Sequence, residues 1–298
     1  MFDEGQLYSP VSRGDDGGVR VHLDPSHPGA ADEAYLRRRN EIAAAALDWR
    51  EGQPLPHIDY TDAENEVWAT VSRALAPKHE RHAHPEYLAA KRALGLPTEY
   101  VPTLDEVSDR IGPLTGWSYI AAPGLVALRQ FYGALGRRVF HSTQYLRHPS
   151  RPLYTPEPDI IHEVIGHANQ LASPRFAAIT RAAGEASLRL EDESAMKFVA
   201  DVFWFSMEFG VMYDGPELKA YGAGILSSYG EMDEFAHMEI RPLDLLDMGT
   251  LNYDITAYQP VLFAARDVAE LEDVVGHFFA TCSDDSIAAL RTQAPLTV

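Results

Sequence analysis

Two histidines five residues apart, His162 and His167, constrain most tightly how this chain of 298 residues can fold. They lie in residues 154–167, YTPEPDIIHEVIGH, whose apolar spacing predicts a helix. Thr155 can cap the N-terminus of that helix, and Pro156 at the first helical position costs no intrahelical hydrogen bond. The predicted helix therefore begins ahead of His162.

The spacing His-Glu-x-x-x-His is one residue longer than the zinc-peptidase motif. Four residues bring two side chains to one helical face, whereas five place them about 140° apart at about 100° per residue. Both imidazoles can reach one ion if it lies beside a bent or bulged turn, which Gly166 could permit, or if the side chains wrap inward. The spacing by itself equally allows one structural and one surface histidine.

Residues 201–210 offer a third metal ligand. Asp201, Trp204 and Glu208 share one helical face at i, i+3 and i+7, and Glu208 stands among aromatic neighbours. A carboxylate in such a setting is rarely buried unless it is paired or ligates a metal. An ion pair with a buried arginine such as Arg147 is the alternative. Two histidines and one carboxylate that leave positions open form the facial triad of non-haem Fe(II) oxygenases.

Composition excludes several other classes of protein. Hydrophobic residues make up 46%, enough for a sizeable core, and the net charge of -19 argues against a nucleic-acid-binding surface. Cys282 is the only cysteine, so an intrachain disulfide and a Cys-rich zinc module are excluded. The first residues lack the pattern of a signal peptide, and the most apolar stretch is too short to span a bilayer. We expect a cytoplasmic protein without a membrane partner.

Helical spacing dominates the chain, and strand-like pieces are few. We predict a loosely ordered N-terminal lead-in with one helix at residues 1–56 and a catalytic domain at residues 57–298. The predicted helices span residues 31–49, 62–76 (ending before Pro77), 85–94, 104–111, 124–135, 156–171, 174–190, 193–212 and 268–281. Short strands are expected at residues 138–141 and 255–258. The predicted fold class is mainly α with a few short β-strands.

Five ordered motifs resemble the pterin-dependent aromatic amino acid hydroxylases, and bacterial phenylalanine 4-hydroxylases most of all. They are residues 138–148 (RVFHSTQYLRH), 154–167, 204–210 (WFSMEFG), 219–231 (KAYGAGILSSYGE) and 258–260 (YQP). The resemblance covers about residues 60–280. It implies a single, mostly helical catalytic domain that uses Fe(II), a tetrahydropterin cosubstrate and O2, without the regulatory and tetramer-forming parts of animal relatives. A monomer acting on small molecules is expected.

The resemblance also implies roles for individual positions. Iron would be held by His162, His167 and Glu208. The pterin would be held by Gly124, Leu125, Leu128, Phe131, which stacks on its ring, and Glu163. The amino acid would be held by Arg147, Thr155, Asp159, which supports Arg147, and by Trp204, Ser227 and Ile255. Glu163 and Ser227 are the expected catalytic residues beside the iron.

Two departures from the family pattern lie near the site. Asn169 and Gln170 stand where animal relatives usually have proline and a hydrophobic residue, and Phe203 replaces a tyrosine. Neither departure touches the expected ligand set, but both bear on which ring carbon is attacked.

The implied reaction is hydroxylation of L-phenylalanine to tyrosine. Relatives that act on tyrosine tend to have an acidic residue where Ile255 stands, and tryptophan hydroxylases often have Phe where Trp204 stands. Hydroxylation at the 3-position and tryptophan as substrate stay as alternatives within the family. A zinc hydrolase using His162, His167 and Glu163 is a distant alternative, against which the longer histidine spacing argues. A noncatalytic helical binding protein would leave the polar motifs unexplained.

Three more histidines, His79, His82 and His84, lie close together in sequence and could suggest a second metal site. Charged neighbours at residues 78, 80 and 81 instead indicate a solvated helical face. We therefore expect no metal there.

Overall fold

Helices form most of the secondary structure in residues 9–254 and 257–292, which the computed structural model describes. The α-helices are α1 (Glu33–Asp48), α2 (Asp62–His82), α3 (Pro85–Leu94), α4 (Leu104–Thr115), α5 (Leu128–Leu135), α6 (Asn169–Leu171), α7 (Pro174–Ser187), α8 (Glu193–Phe203), α9 (Ala223–Ser227), α10 (Glu231–Glu234), α11 (Leu245–Met248), α12 (Val268–Leu271), α13 (His277–Thr281) and α14 (Asp284–Arg291). Three π-helical segments adjoin them, at His162–Ala168, Trp204–Glu208 and Glu272–Gly276. A 3-10 turn covers Phe235–His237.

Short strands form three small sheets in the described part of the chain. The strands are β1 (Val11–Arg13), β2 (Val19–Val21), β3 (Ser118–Ala121), β4 (Val139–Ser142), β5 (Val211–Asp214), β6 (Glu217–Ala220), β7 (Glu239–Pro242) and β8 (Val261–Ala265). β1 and β2 form an antiparallel pair, and β3 and β4 a parallel pair in which Ser118 lies opposite Val139. The third sheet has the order β6-β5-β8-β7. The prediction of a mainly α fold with short strands is confirmed.

Helix α2 continues six residues beyond its predicted end, through Pro77 to His82, so the predicted stop was wrong. A proline inside a helix removes one hydrogen bond. The buried stripe of Val71, Leu75 and His79 extends past the proline and offsets this loss, because all three side chains are at most 1% exposed. Thr61 begins the helix with the capping box that its sequence favours.

The helix that carries His162 begins later than predicted. Residues 154–159 are not helical, and helical structure starts at residue 160. Glu157 precedes Pro158, and a residue before proline is disfavoured in the helical conformation. Asp159 takes over the capping role, with its carboxylate accepting a hydrogen bond from the backbone N–H of His162 at 3.3 Å.

One buried hydrophobic cluster extends from Ala46 in α1 to Ile287 in α14 and encloses the segments that carry the predicted site. Helix α1 is tied to this body by Arg39, whose guanidinium lies 2.7 Å from the buried carboxylate of Glu157. The division at residue 57 stays a prediction. In residues 9–254 and 257–292, no helix has the combination of length and apolar character that crossing a membrane requires.

Candidate metal centre

A π-helical turn brings the two histidines together. Hydrogen bonds in a π-helix join residues five apart, and such turns occur frequently at functional sites. His162 and His167 are five apart within His162–Ala168, and their Nε2 atoms lie 3.1 Å from each other. Their rings are perpendicular, with centroids 4.7 Å apart. Of the arrangements that the sequence spacing allows, the structure has the bulged turn.

A second π-helical segment, Trp204–Glu208, presents the carboxylate. Glu208 Oε1 lies 3.1 Å from Nε2 of His167, and Oε2 lies 3.7 Å from Nε2 of His162. Three donors bonded at about 2.0–2.2 Å to one ion, at right angles to one another, would be about 3 Å apart. The His162–His167 and His167–Glu208 distances match this spacing, and the distance from His162 to the other Glu208 oxygen is longer. The set suits one face of an octahedral iron, which leaves the opposite face for other ligands.

Glu163 is a second carboxylate near the histidines, with ligand atoms of the three residues within 4.8 Å of one another. Burial and the charge of Glu208 raise the pKa of Glu163 well above its usual value. Burial alone would raise the pKa of Glu208 too, but the His167 ring holds it below its usual value. Metal ligands bind as carboxylates and neutral imidazoles, and of these two side chains it is Glu208 that its surroundings favour as a carboxylate.

Ser227 contacts His162 at Nδ1, the ring nitrogen that does not face His167. Its hydroxyl lies 2.9 Å from Nδ1 of His162 and 2.8 Å from the Ala223 carbonyl oxygen. Burial and the neighbouring His167 lower the pKa of His162 to about 4, which keeps this ring neutral. A partner on the second ring nitrogen commonly fixes the orientation of a ligating histidine. The structure therefore brings the predicted serine next to the predicted ligand.

Gln170 links the segment that contains the two histidines to the segment that contains Glu208. Its side-chain amide donates hydrogen bonds to the carbonyl oxygens of Met207 at 2.8 Å and Tyr221 at 2.9 Å. Asn169 donates to the Ile165 carbonyl oxygen at 2.9 Å within the first π turn. The two polar residues that depart from the family pattern thus satisfy backbone carbonyls around the ligands.

Arg147 and Asp159 form a buried ion pair beside the centre. The Asp159 carboxylate accepts from Nε and Nη2 of Arg147, both at 2.9 Å, and from its backbone N–H at 2.8 Å. Asp159 therefore occupies the planar fork of the guanidinium, and Nη1 has only a 3.5 Å contact with the Pro152 carbonyl. Thr155 donates its hydroxyl hydrogen to the Glu157 carbonyl at 2.7 Å.

A cavity opens next to Glu163 and contains most of the predicted pterin residues. Gly124, Leu125, Phe131 and Glu163 line it, whereas Leu128 starts α5 and packs against the core. The sequence analysis did not identify the other polar residues that line the cavity, which are Ser9, Arg39, His141, Thr143, Tyr145 and Glu157. The alternation of β4 could have revealed His141, because Phe140 is buried in the core and its neighbour faces the other way.

Trp204 forms an aromatic stack at the start of its π segment. Its ring lies 4.9 Å from Tyr253 at 17° and 4.6 Å from Phe209 at 40°. The indole N–H of Trp204 is buried and has no hydrogen-bond partner among the described residues. Ile255, the other expected wall of the amino acid pocket, lies outside the described residues, as does half of the strand predicted at residues 255–258. Ala257 and Tyr258 are described and are not in a strand.

Comparison with known proteins gives matches over most of the chain. A family model described as biopterin-dependent aromatic amino acid hydroxylase matches residues 18–287. A phenylalanine 3-hydroxylase of Streptomyces coeruleorubidus is 48% identical, over 89% of this chain and 95% of that protein. The phenylalanine-4-hydroxylase of Bos taurus is 39% identical, and the match covers 88% of this chain but only 59% of the bovine protein.

Solved structures of bacterial phenylalanine hydroxylases share the fold. That of Colwellia psychrerythraea 34H is 30% identical with a TM-score of 0.73, covering 80% of this chain and 90% of that one. That of Chromobacterium violaceum, with bound iron(III) and 7,8-dihydrobiopterin, is 25% identical with a TM-score of 0.75, covering 85% and 93%.

Proposed function

Because the chain belongs to the biopterin-dependent aromatic amino acid hydroxylases, we propose that it hydroxylates the ring of free L-phenylalanine. Iron and a biopterin are the cofactors of this family. The observation that carries the proposal is the triangle of His162, His167 and Glu208 beside the cavity that Phe131 lines. We expect the protein to act as a monomer on small molecules only.

Each group of residues has a distinct task in the proposed reaction. Iron and the reduced pterin together would supply the activation of O2 for transfer of one oxygen atom to the ring. His162, His167 and Glu208 would hold the iron from one side, and Phe131 would stack on the pterin in the adjoining cavity. Glu163 lines that cavity beside both histidines, so it can meet the pterin edge and solvent at the metal.

Arg147 and Trp204 are the proposed anchors of the amino acid. Asp159 takes Nε and Nη2 of Arg147, so Nη1 is the nitrogen that can meet the substrate carboxylate. The rigid stack of Trp204 on Tyr253 supports a wall for an aromatic ring one turn before Glu208. Ser227 would keep His162 oriented, and Thr155 would lie near the amino end.

Phenylalanine is preferred over tyrosine in this proposal on the basis of Ile255. An apolar side chain cannot accept a hydrogen bond from a phenol, and an unpaired buried hydroxyl costs about 1–3 kcal/mol. That penalty corresponds to discrimination of roughly 5- to 140-fold, since about 1.4 kcal/mol is a factor of ten. The names of the relatives cited above also favour phenylalanine.

Two ring positions are candidates for hydroxylation. The sequence motifs predict the 4-position, which would give tyrosine. The relative that is 48% identical over nearly its whole length is named a phenylalanine 3-hydroxylase, whereas the bovine phenylalanine-4-hydroxylase is 39% identical. On this difference we propose 3-hydroxyphenylalanine as the main product and tyrosine as the second candidate.

Product analysis tests both levels of the proposal. The protein is incubated with Fe(II), tetrahydrobiopterin, O2 and each aromatic amino acid in turn, and hydroxylated products are separated by chromatography against 3-hydroxyphenylalanine and tyrosine standards. A His162→Ala, His167→Ala double variant is the matched control and should be inactive. A higher kcat/KM for tryptophan than for phenylalanine contradicts the substrate, and tyrosine as main product contradicts the ring position.

A further inference from the structure

A partly buried lysine contacts a fully buried histidine behind the proposed metal centre. His79, in α2, is fully buried, and its Nδ1 lies 2.8 Å from Nζ of Lys91 in α3. Its Nε2 lies 2.7 Å from the carbonyl oxygen of Leu226. His82 packs its ring against Phe235, and Nδ1 of His84 accepts a hydrogen bond from the Glu86 backbone N–H, so neither takes part in these contacts. The three histidines noted in the sequence are therefore not one cluster, and His79 is not on a solvated face.

The contacts of His79 determine which ring nitrogen carries its proton. A lysine ammonium can only donate hydrogen bonds, so Nδ1 of His79 must accept. The proton then sits on Nε2, which donates to the Leu226 carbonyl. Burial and the Lys91 charge lower the pKa of His79 to about 3, which agrees with a neutral ring. Lys91 thus selects the tautomer that can hold Leu226.

Leu226 is the residue before Ser227 at the end of the five-residue helix α9. The last carbonyls of a helix have no partner within it, and a buried carbonyl without one costs free energy. The Ile225 carbonyl accepts the backbone N–H of Ser228 at 3.1 Å, and His79 supplies the partner of the next carbonyl. This bond fixes the turn from which Ser227 reaches Nδ1 of His162 at 2.9 Å.

We propose that Lys91 and His79 are positioning residues for the metal centre. Lys91 fixes the donor nitrogen of His79, and His79 holds the Leu226 carbonyl so that Ser227 orients His162. The inference rests on the proposed assignment of His162 as a ligand. Loss of a direct partner of a metal ligand, here Ser227, typically changes metal affinity about 10- to 100-fold. His79 acts through Leu226 and Ser227, so its loss should have a smaller effect.

Metal affinity of the protein without substrate or pterin tests the proposal. Metal-free protein is titrated with Co(II) by calorimetry, and its thermal unfolding is measured in parallel. We expect His79→Phe to raise the Kd by up to about 10-fold, less than loss of Ser227 itself would, and Lys91→Met to raise it less still. His79→Gln should recover part of the loss, because its amide can still donate to Leu226.

His82→Phe and Arg92→Met are matched controls on the same two helices and should leave the Kd unchanged. An unchanged Kd for Co(II) in His79→Phe overturns the proposal. The proposal is also overturned if His79→Phe and His79→Gln lose Co(II) affinity equally and in proportion to their loss of thermal stability. If His79→Phe does not fold, Lys91→Met decides: a weaker Kd at unchanged stability supports the proposal, and an unchanged Kd overturns it. Full Co(II) binding by the His162→Ala, His167→Ala variant would instead refute the proposed metal site.

Discussion

Replacing Asp159 by asparagine removes the charge that neutralises Arg147 while preserving the shape of the side chain. The Asp159 side chain is fully buried and that of Arg147 is 3% exposed, so solvent cannot take over the lost interaction. If the asparagine oxygen takes the position of Oδ2, it keeps the bonds from the backbone N–H and Nε, but its NH2 group then faces Nη2 and the His162 N–H. Breaking one partner of a buried pair typically costs about 3–5 kcal/mol.

Urea unfolding of Asp159→Asn, Arg147→Met and the double variant measures this cost in the free energy of unfolding. We expect Asp159→Asn to lower the free energy of unfolding by about 3–5 kcal/mol. The double variant should be more stable than the sum of the two single losses predicts, because it leaves no unpaired charge. The KM for phenylalanine should rise in Asp159→Asn, since Arg147 loses its fixed orientation. A loss below about 1 kcal/mol, or strictly additive variants, would refute this account of the pair.

Three further outcomes follow from the structure. Phe131→Ala should raise the pterin KM about 2- to 10-fold and change the amino acid KM less, because ring stacking contributes about 0.5–1.5 kcal/mol; an unchanged pterin KM would restore a core-packing role. Burial raises the pKa of Glu231 to about 7 from an ordinary 4.5, so the folded protein holds this proton more tightly than the unfolded chain does. The stability that the protonated side chain contributes is complete below pH 4.5 and is lost as the pH rises through 7. Glu231→Gln should therefore gain stability relative to the parent at pH 8 and not at pH 5, as urea midpoints would show, and an equal effect at both pH values would contradict it. Gly184→Ala should destabilise the α5–α7 crossing by about 1–3 kcal/mol or more, because its Cβ would lie 2.1 Å from the Gly136 nitrogen; unchanged unfolding would show that the crossing adapts.

The residues of the proposed metal site could be singled out in the sequence because their chemistry is rare in a helical setting. His162, His167 and Glu208 stand in apolar surroundings, where such side chains need a partner. The way the two histidines meet could only be predicted in part. Spacing rules based on regular α-helices place them apart, and the choice between a bulged turn and inward-wrapping side chains depends on tertiary packing that a local pattern does not contain.

The supporting residues were harder to predict, since their partners are distant in sequence. Arg39 is one of three consecutive arginines, residues 37–39, and nothing in that local pattern predicts burial. Its guanidinium nevertheless lies over the Tyr145 ring at 3.3 Å and against Glu157. His79 was predicted to lie on a solvated face because Lys78 and Glu80 flank it. The prediction was wrong because adjacent positions on a helix point in different directions. The predicted end of α2 was wrong because burial of an apolar stripe outweighed the hydrogen bond lost at Pro77.

The Gln170 amide has a consequence for motion. This side chain follows the segment that holds both histidines and donates to the carbonyl oxygens of Met207 and Tyr221. None of these three segments can separate from the others without breaking a buried hydrogen bond. Proteins open locally in cooperative units, and we expect the Gln170 link to place these segments in the same unit. In native-state hydrogen exchange, backbone amides of residues 162–171 and 204–208 should therefore exchange with a common opening free energy, which Gln170→Leu should split into two.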